Sequence, residues 1–145
     1  MKNVIMSIAF LCTLLLVSCD NDDDNQQNQD PILGKWMLVG ATFNGVDDIV
    51  NDCRARTSIE FFTNNTFVSI QYELDVTETE CIIEEEVNAT WQNTGNGTYA
   101  NTTNDSPVPI MVSFSNDNNT LTITGESVVG GMPIIGTLTY NKVMN

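Results

Sequence analysis

Through much of its length the chain alternates apolar and polar residues with a period of two, the pattern of half-buried β-strands. Ile59 and Phe61 alternate with Ser58 and Glu60. Ile110, Val112 and Phe114 alternate with Met111, Ser113 and Ser115, and Leu121 and Ile123 with Thr120, Thr122 and Thr124. The threonines suit the outward face of a strand. Turn residues punctuate these runs: 63–66, 93–97 and 116–119 are rich in Asn, Thr, Gly and Asp and read as hairpin connections. Strands are predicted over 35–43, 58–62, 67–72, 88–92, 98–101, 109–115, 121–124 and 134–140. Residues 81–87 read as strand or loop, with Glu84, Glu85 and Glu86 as a solvated face or turn. Over 67–72 either Val68, Ile70 and Tyr72 or Phe67, Ser69 and Gln71 form the buried face. No useful amphipathic helix stands out. About eight short strands joined by hairpins predict an all-β fold, an antiparallel up-and-down barrel whose interior is filled or holds one small ligand.

The N-terminus has a different pattern. After Lys2, an apolar run of 14 residues over 4–17 is broken only by Ser7 and Thr13. Spanning a bilayer takes about 20 apolar residues, so this run fits the hydrophobic region of a secretory signal instead. It ends in Leu16-Val17-Ser18-Cys19, which resembles the bacterial lipobox. The resemblance implies cleavage before Cys19 and acylation of that cysteine by chains such as palmitate, and two or more chains anchor stably. The next 11 residues, 20–30, contain nothing apolar and read as a disordered acidic tether. Asp20, Asp22 and Asp24 imitate the start of a calcium loop, but Asn25 stands where Gly is needed and Pro31 where Glu is needed. The expected organisation is a signal peptide over 1–18, a lipidated tether over 19–30 and a barrel domain over 31–145.

Charge and cysteine content narrow the function. Nineteen acidic residues oppose five basic ones in 145 residues, a formal net charge of −14, and there is no histidine. A nucleic-acid partner is excluded on that balance, since phosphate binding needs clustered Lys or Arg. The lack of His removes the commonest general base and the commonest zinc ligand. Nothing brings Glu60, Glu73, Asp75 or Glu78 together as an acid–base pair, so no catalytic residues, metal or cofactor are assigned. With Cys12 in the signal and Cys19 lipidated, Cys53 and Cys81 remain as a disulfide pair for an oxidising compartment. Closing a loop of about 28 residues stabilises by roughly 3.5 kcal/mol.

Gly34-Lys35-Trp36 opens the first strand as Gly-x-Trp does in lipocalins. Cys53, the run 58–67, Cys81, Trp91 and the closing Thr137-Leu138-Thr139-Tyr140-Asn141-Lys142 follow in an order that resembles lipocalin-like (calycin) domains of bacterial lipoproteins. The resemblance covers residues 32–143. It implies that the Trp36 indole plugs the closed end of the barrel, with Lys142 over it in place of the usual Arg. It also implies a non-catalytic binding module for a small hydrophobic or amphipathic ligand. Ile59, Phe61, Ile110, Val112, Phe114, Leu121 and Ile123 are the candidate pocket or core lining. The alternative is a surface-displayed interaction or structural module with a filled core, working through the loops at 47–56 and 130–133. Arg54 and Arg56 are either a local anion contact or members of surface salt bridges. The expected location is the bacterial cell envelope. The acidic run after Cys19 resembles the surface-export signal of some Gram-negative lipoproteins and favours the outer membrane, although in other Gram-negatives an Asp there retains the protein at the inner membrane. The expected partners are the membrane, through the anchor, a small apolar ligand and a surface protein; the expected state is a monomer.

Overall fold

A computed structural model describes residues 29–103 and 106–144. The signal segment, Cys19 and the tether as far as residue 28 lie outside the described residues. Nine strands occur among those described: β1 Gly34–Phe43, β2 Val46–Asp48, β3 Ser58–Phe61, β4 Thr66–Leu74, β5 Cys81–Gly95, β6 Thr98–Thr103, β7 Ser106–Ser115, β8 Thr120–Val129 and β9 Met132–Lys142. One 3-10 turn, Arg54–Arg56, precedes β3. From β3 to β9 each strand pairs antiparallel with the next, β1 pairs with β3, and β9 returns to β1. These eight close an antiparallel barrel. β2 is a short addition that hairpins back onto Ala41–Phe43 of β1, where β3 no longer reaches.

Turn chemistry sets the connections. Asn44-Gly45, Asn96-Gly97 and Gly130-Gly131 all have positive φ, the conformation a two-residue hairpin of this hand demands. Gly97 also has no room for a side chain, because an added Cβ would sit 3.0 Å from the carbonyl oxygen of Val112. Several boundaries differ from the sequence reading. β5 runs unbroken from Cys81 to Gly95, so the uncertain segment 81–87 is strand, and the turn expected over 93–97 shrinks to Asn96-Gly97. The loop expected at 130–133 is only Gly130-Gly131, since Met132 and Pro133 already pair with Val129 and Val128. The loop expected over 47–56 holds most of β2 and the 3-10 turn.

The two ends of the barrel are unlike. At one end lie the turns 62–65, 96–97 and 116–119, together with the chain leading into β1. Here Ile32, Trp36 and Leu121 are fully buried. The Trp36 indole N–H donates to the carbonyl of Ile32 at 2.7 Å, and its ring packs 6.1 Å from that of Phe114. Burying an indole without that acceptor would strand a polar donor. Lys142 Nζ lies 5.0 Å from the indole centroid and donates to the carbonyl of Pro31 at 3.3 Å. Gly34 adopts φ +108°, and a Cβ there would meet the Lys142 stem at 3.5 Å. Asp30 locks the incoming chain down: its carboxylate accepts from Ile32 N–H at 3.1 Å, the Tyr99 hydroxyl at 2.7 Å and Asn93 Nδ2 at 2.7 Å. Above this floor, Phe67, Phe61, Trp91 and Tyr99 form a ladder of aromatic contacts with centroids 5.5–6.1 Å apart.

One seam of the wall is incomplete. The Val112 N–H donates to Gly97 at 2.7 Å, which turns the even-numbered amides of β7 toward β6 and the odd-numbered ones toward β8. Pro107 and Pro109 fall on the β8 side and have no N–H to give. Among the described residues the β7–β8 ladder accordingly runs from Ser115↔Thr120 to Met111↔Thr124 and stops there. Above Met111 the two strands part.

Trp36 carries the largest buried side chain of the closed end. Trp36→Ala is expected to lower the unfolding free energy by about 3–5 kcal/mol, measured by denaturant titration with Trp91 fluorescence as the signal. A loss under about 1 kcal/mol, within the range of a surface substitution, would mean the indole is not the plug.

Candidate functional site

The aromatic ladder does not fill the barrel. A cavity of about 560 Å³ lies above it and opens toward the other end. That volume falls within the ordinary range for small-molecule sites. Its apolar wall comes from Leu38, Ile59, Phe61, Ile110, Ile123 and Leu138, with Phe67, Trp91, Tyr99 and Tyr140 below. Burial pushes the Tyr140 phenol up to about 12. The Tyr99 phenol is also raised, first by burial and then by the hydrogen bond and charge of Asp30. Both phenols therefore stay neutral at physiological pH.

Four of the seven residues expected to line the interior, Ile59, Phe61, Ile110 and Ile123, face this cavity. Val112, Phe114 and Leu121 do not line it. They sit lower on β7 and β8, where Val112 and Leu121 are buried in the closed-end core and Phe114 packs on Trp36. Alternation places a side chain inward, but the height at which it points depends on how far along the strand it lies.

The polar part of the site is less legible in the sequence. The inward face of β4 is Phe67, Ser69, Gln71 and Glu73, fixed by the pairing of Phe67 with Phe61 and of Ser69 with Ile59. A register shift between Gln71 and Tyr72 brings Tyr72 to the wall as well. Across the same ladder Glu84 and Glu85 of β5 also line the mouth, so the acidic run is not only a solvated face. Gln71 Nε2 donates to Glu85 Oε2 at 3.2 Å. The mixed alternation over 67–72 was the available signal: a strand with polar residues on its inward face borders a cavity rather than a packed core.

A strap crosses the mouth between β2 and β3. Asn51 Oδ1 accepts from the N–H groups of Cys53 and Arg54 at 3.0 and 2.9 Å and starts the 3-10 turn. Arg54 then ties three segments together: Nη1 pairs with Asp48 and donates to the carbonyl of Ile49 at 2.8 Å, while Nε contacts Glu73 at 3.1 Å. Of the two readings for Arg54, the salt bridge is the one the geometry realises. Thr57 closes the strap: its carbonyl accepts from Leu38 N–H at 3.0 Å and its hydroxyl from Tyr72 N–H at 3.1 Å. The Cys53–Cys81 disulfide, with Cα atoms 5.4 Å apart, fastens the strap to the start of β5.

The 75–80 turn beside the mouth is organised by one carboxylate. Asp75 accepts from the Thr77 hydroxyl at 2.6 Å and from the N–H groups of Thr79 and Glu80 at 2.8 and 3.1 Å. These bonds, the Thr77 hydroxyl foremost, hold its carboxyl down at about 2. A second, shallower hollow of about 400 Å³ lies where β7 and β8 part, lined by Val108, Pro109, Met111, Gly125 and Ile135 among others. Ile110 borders both hollows.

Comparison with solved structures places the architecture. A bovine odorant-binding protein complexed with its natural ligand aligns over 86% of this chain and 79% of its own, at 18% identity and a TM-score of 0.51. An odorant-binding protein from bovine nasal mucosa aligns with the same coverage at 15% identity and a TM-score of 0.50. The bovine lipocalin allergen Bos d 2 aligns over 79% of this chain and 75% of its own, at 18% identity and a TM-score of 0.48. No protein-family profile and no curated protein sequence matches the chain. What the first two share with it is the fold, a closed eight-stranded antiparallel barrel.

Unreduced protein should leave Cys53 and Cys81 unalkylated, and reduction should cost about 3.5 kcal/mol of stability. Mass analysis after alkylation, paired with denaturant melts, reads both. The Asp75 carboxyl should titrate near pH 2 by carbon-13 NMR, against the ordinary value of 3.8. Because the folded value lies below the unfolded one, the stabilisation from this turn is complete above about pH 4 and fades as pH falls to about 2. A midpoint near 3.8 would mean the turn is not formed in solution.

Proposed function

We propose that this chain is a lipid-anchored binding protein whose barrel holds a small hydrophobic or amphipathic molecule without transforming it. The observation that carries the reading is the open cavity of about 560 Å³, with apolar walls and a polar mouth. The aliphatic side chains of Leu38, Ile59, Val87, Ile110, Ile123 and Leu138 supply a non-directional apolar surface, and burying ligand carbon against it contributes about 25 cal/mol per Å². The Tyr140 phenol and the unpartnered Asn101 side-chain oxygen supply orientation. The strap, held by Arg54 and by the disulfide, keeps one side of the mouth fixed in advance. That spares the ligand part of the ordering cost of binding.

The envelope address completes the proposal. The apolar run over 4–17, the lipobox-like tetrapeptide ending at Cys19 and the acidic segment after it support a signal peptide over 1–18, acylation at Cys19 and a tether leading to the barrel domain. Asp30 is bound to the closed end, on the side opposite the mouth. The acidic run after Cys19 supports an outer-membrane location, and attachment at the closed end would present the mouth away from the membrane. Intact mass of the membrane-extracted protein checks the anchor: an unmodified Cys19 sinks it.

Native mass spectrometry of the protein from its own membranes, set against its denatured mass, tests the cavity. A discrete non-covalent adduct is expected. The double substitution Ile110→Trp and Ile123→Trp, which fills the wall from β7 and β8, should reduce its occupancy at least about tenfold, roughly 1.4 kcal/mol. A protein that carries no adduct, and whose apolar-probe binding is indifferent to those substitutions, would instead favour a surface interaction module.

A further inference from the structure

We infer that the mouth selects amphiphiles whose head is cationic and donates hydrogen bonds, such as a primary alkylamine, over the matching carboxylate, and that Glu85 is the residue that reads the head. The inference rests on the reading of the barrel as a ligand site and deepens it.

The balance of charge at the cavity is lopsided. Among the described residues that line it, Arg54 is the one cation, against the carboxylates of Glu73, Glu84 and Glu85. Arg54 is already shared, since both ion pairs among the described residues are its own, with Asp48 and with Glu73. An arriving carboxylate would have to compete with two resident ones for that guanidinium and approach two further carboxylates to reach it. Glu84 and Glu85 have no cationic partner among the described residues. Glu85 is instead steadied by a neutral amide, the Gln71 side chain 3.2 Å away on the facing strand. It is thus oriented toward the mouth while its charge stays uncompensated.

A second observation, independent of the carboxylates, points the same way. Asn101 on β6 faces the cavity, and its side-chain oxygen is buried without a hydrogen-bond partner. Buried acceptors normally have a donor. The site therefore offers an unmet acceptor inside and uncompensated negative charge at its rim. A cationic head suits the rim, with the apolar part against the aliphatic wall, and a ligand carrying a further donor along its length would also meet Asn101. The charges are exposed to solvent, so selectivity rather than raw affinity is what they provide.

The test compares three probes of one chain length, decylamine, 1-decanol and decanoate, on the purified full chain. Binding is followed by the fluorescence of Trp91 in the cavity wall and by native mass. Decylamine should bind about fivefold tighter than decanol, with decanoate weakest. The amine preference should shrink toward unity in about 1 M salt, where screening reaches a few ångströms. Glu85→Gln, which keeps an acceptor for Gln71, should erase most of the preference of decylamine over decanol while leaving the melting temperature unchanged, and Glu84→Gln should erase less. Decanoate binding as tightly as decylamine overturns the inference, as does a preference that survives both substitutions. Decanol binding with no amine preference overturns it and leaves the ligand site standing. Failure of all three probes to bind overturns both.

Discussion

The indole of Trp36 has to be buried with its N–H satisfied, and the rest of the barrel is arranged around that requirement. The acceptor is the carbonyl of Ile32, four residues earlier, so the chain must turn back across the floor before β1 begins. That path explains the positive φ of Gly34, the carboxylate of Asp30 anchored to β5 and β6, and the position of Lys142 over the ring at the end of β9. Because β9 closes onto β1 beside the same residue, with Trp36 opposite Lys142, the plug and the closure of the sheet are one event. Everything above the floor is free of this duty, and that freedom leaves room for a cavity.

The upper half is held together differently. There the wall is not a packed core but a set of local ties: an Asx-started 3-10 turn, a shared arginine, a disulfide and the Asp75 turn. Exposed ion pairs of this kind contribute little singly. The covalent tie between residues 53 and 81 therefore matters most for keeping the mouth in one shape. The apolar well thus lies beneath a polar rim that is tied at several points before anything enters.

Much of this was legible in the sequence, and the parts that were not share a cause. The inward faces of β3, β7 and β8 follow from strict alternation, and the hairpins from their Asn, Gly and Thr turns. The Cys53–Cys81 bridge is the pair expected once Cys12 is assigned to the signal and Cys19 to the lipobox-like motif. What alternation cannot give is height along a strand: of the inward residues expected as pocket or core, Ile110 and Ile123 line the cavity while Val112, Phe114 and Leu121 are core at the floor. Nor can it recognise an inward face made of Ser69, Gln71 and Glu73, because polar residues facing inward break the rule that the rest of the chain obeys. β2 carries no signal of its own, since Val46-Asp47-Asp48 does not alternate, and it exists because Asn44-Gly45 folds the chain back onto β1.

The parted seam between β7 and β8 has a consequence for the behaviour of many copies together. A closed barrel normally abolishes free strand edges, and an opened one restores the hazard that a neighbouring molecule will add a strand. Here the β7 edge is sterile: Pro107 and Pro109 stand where the outward amides would be. The β8 edge keeps its donors, but by the same ladder parity they are those of Glu126 and Val128, a short stretch that carries a carboxylate. A wall with one donorless edge and one charged one can stay open without becoming a template. The gap in the wall thus carries its own guard against strand addition.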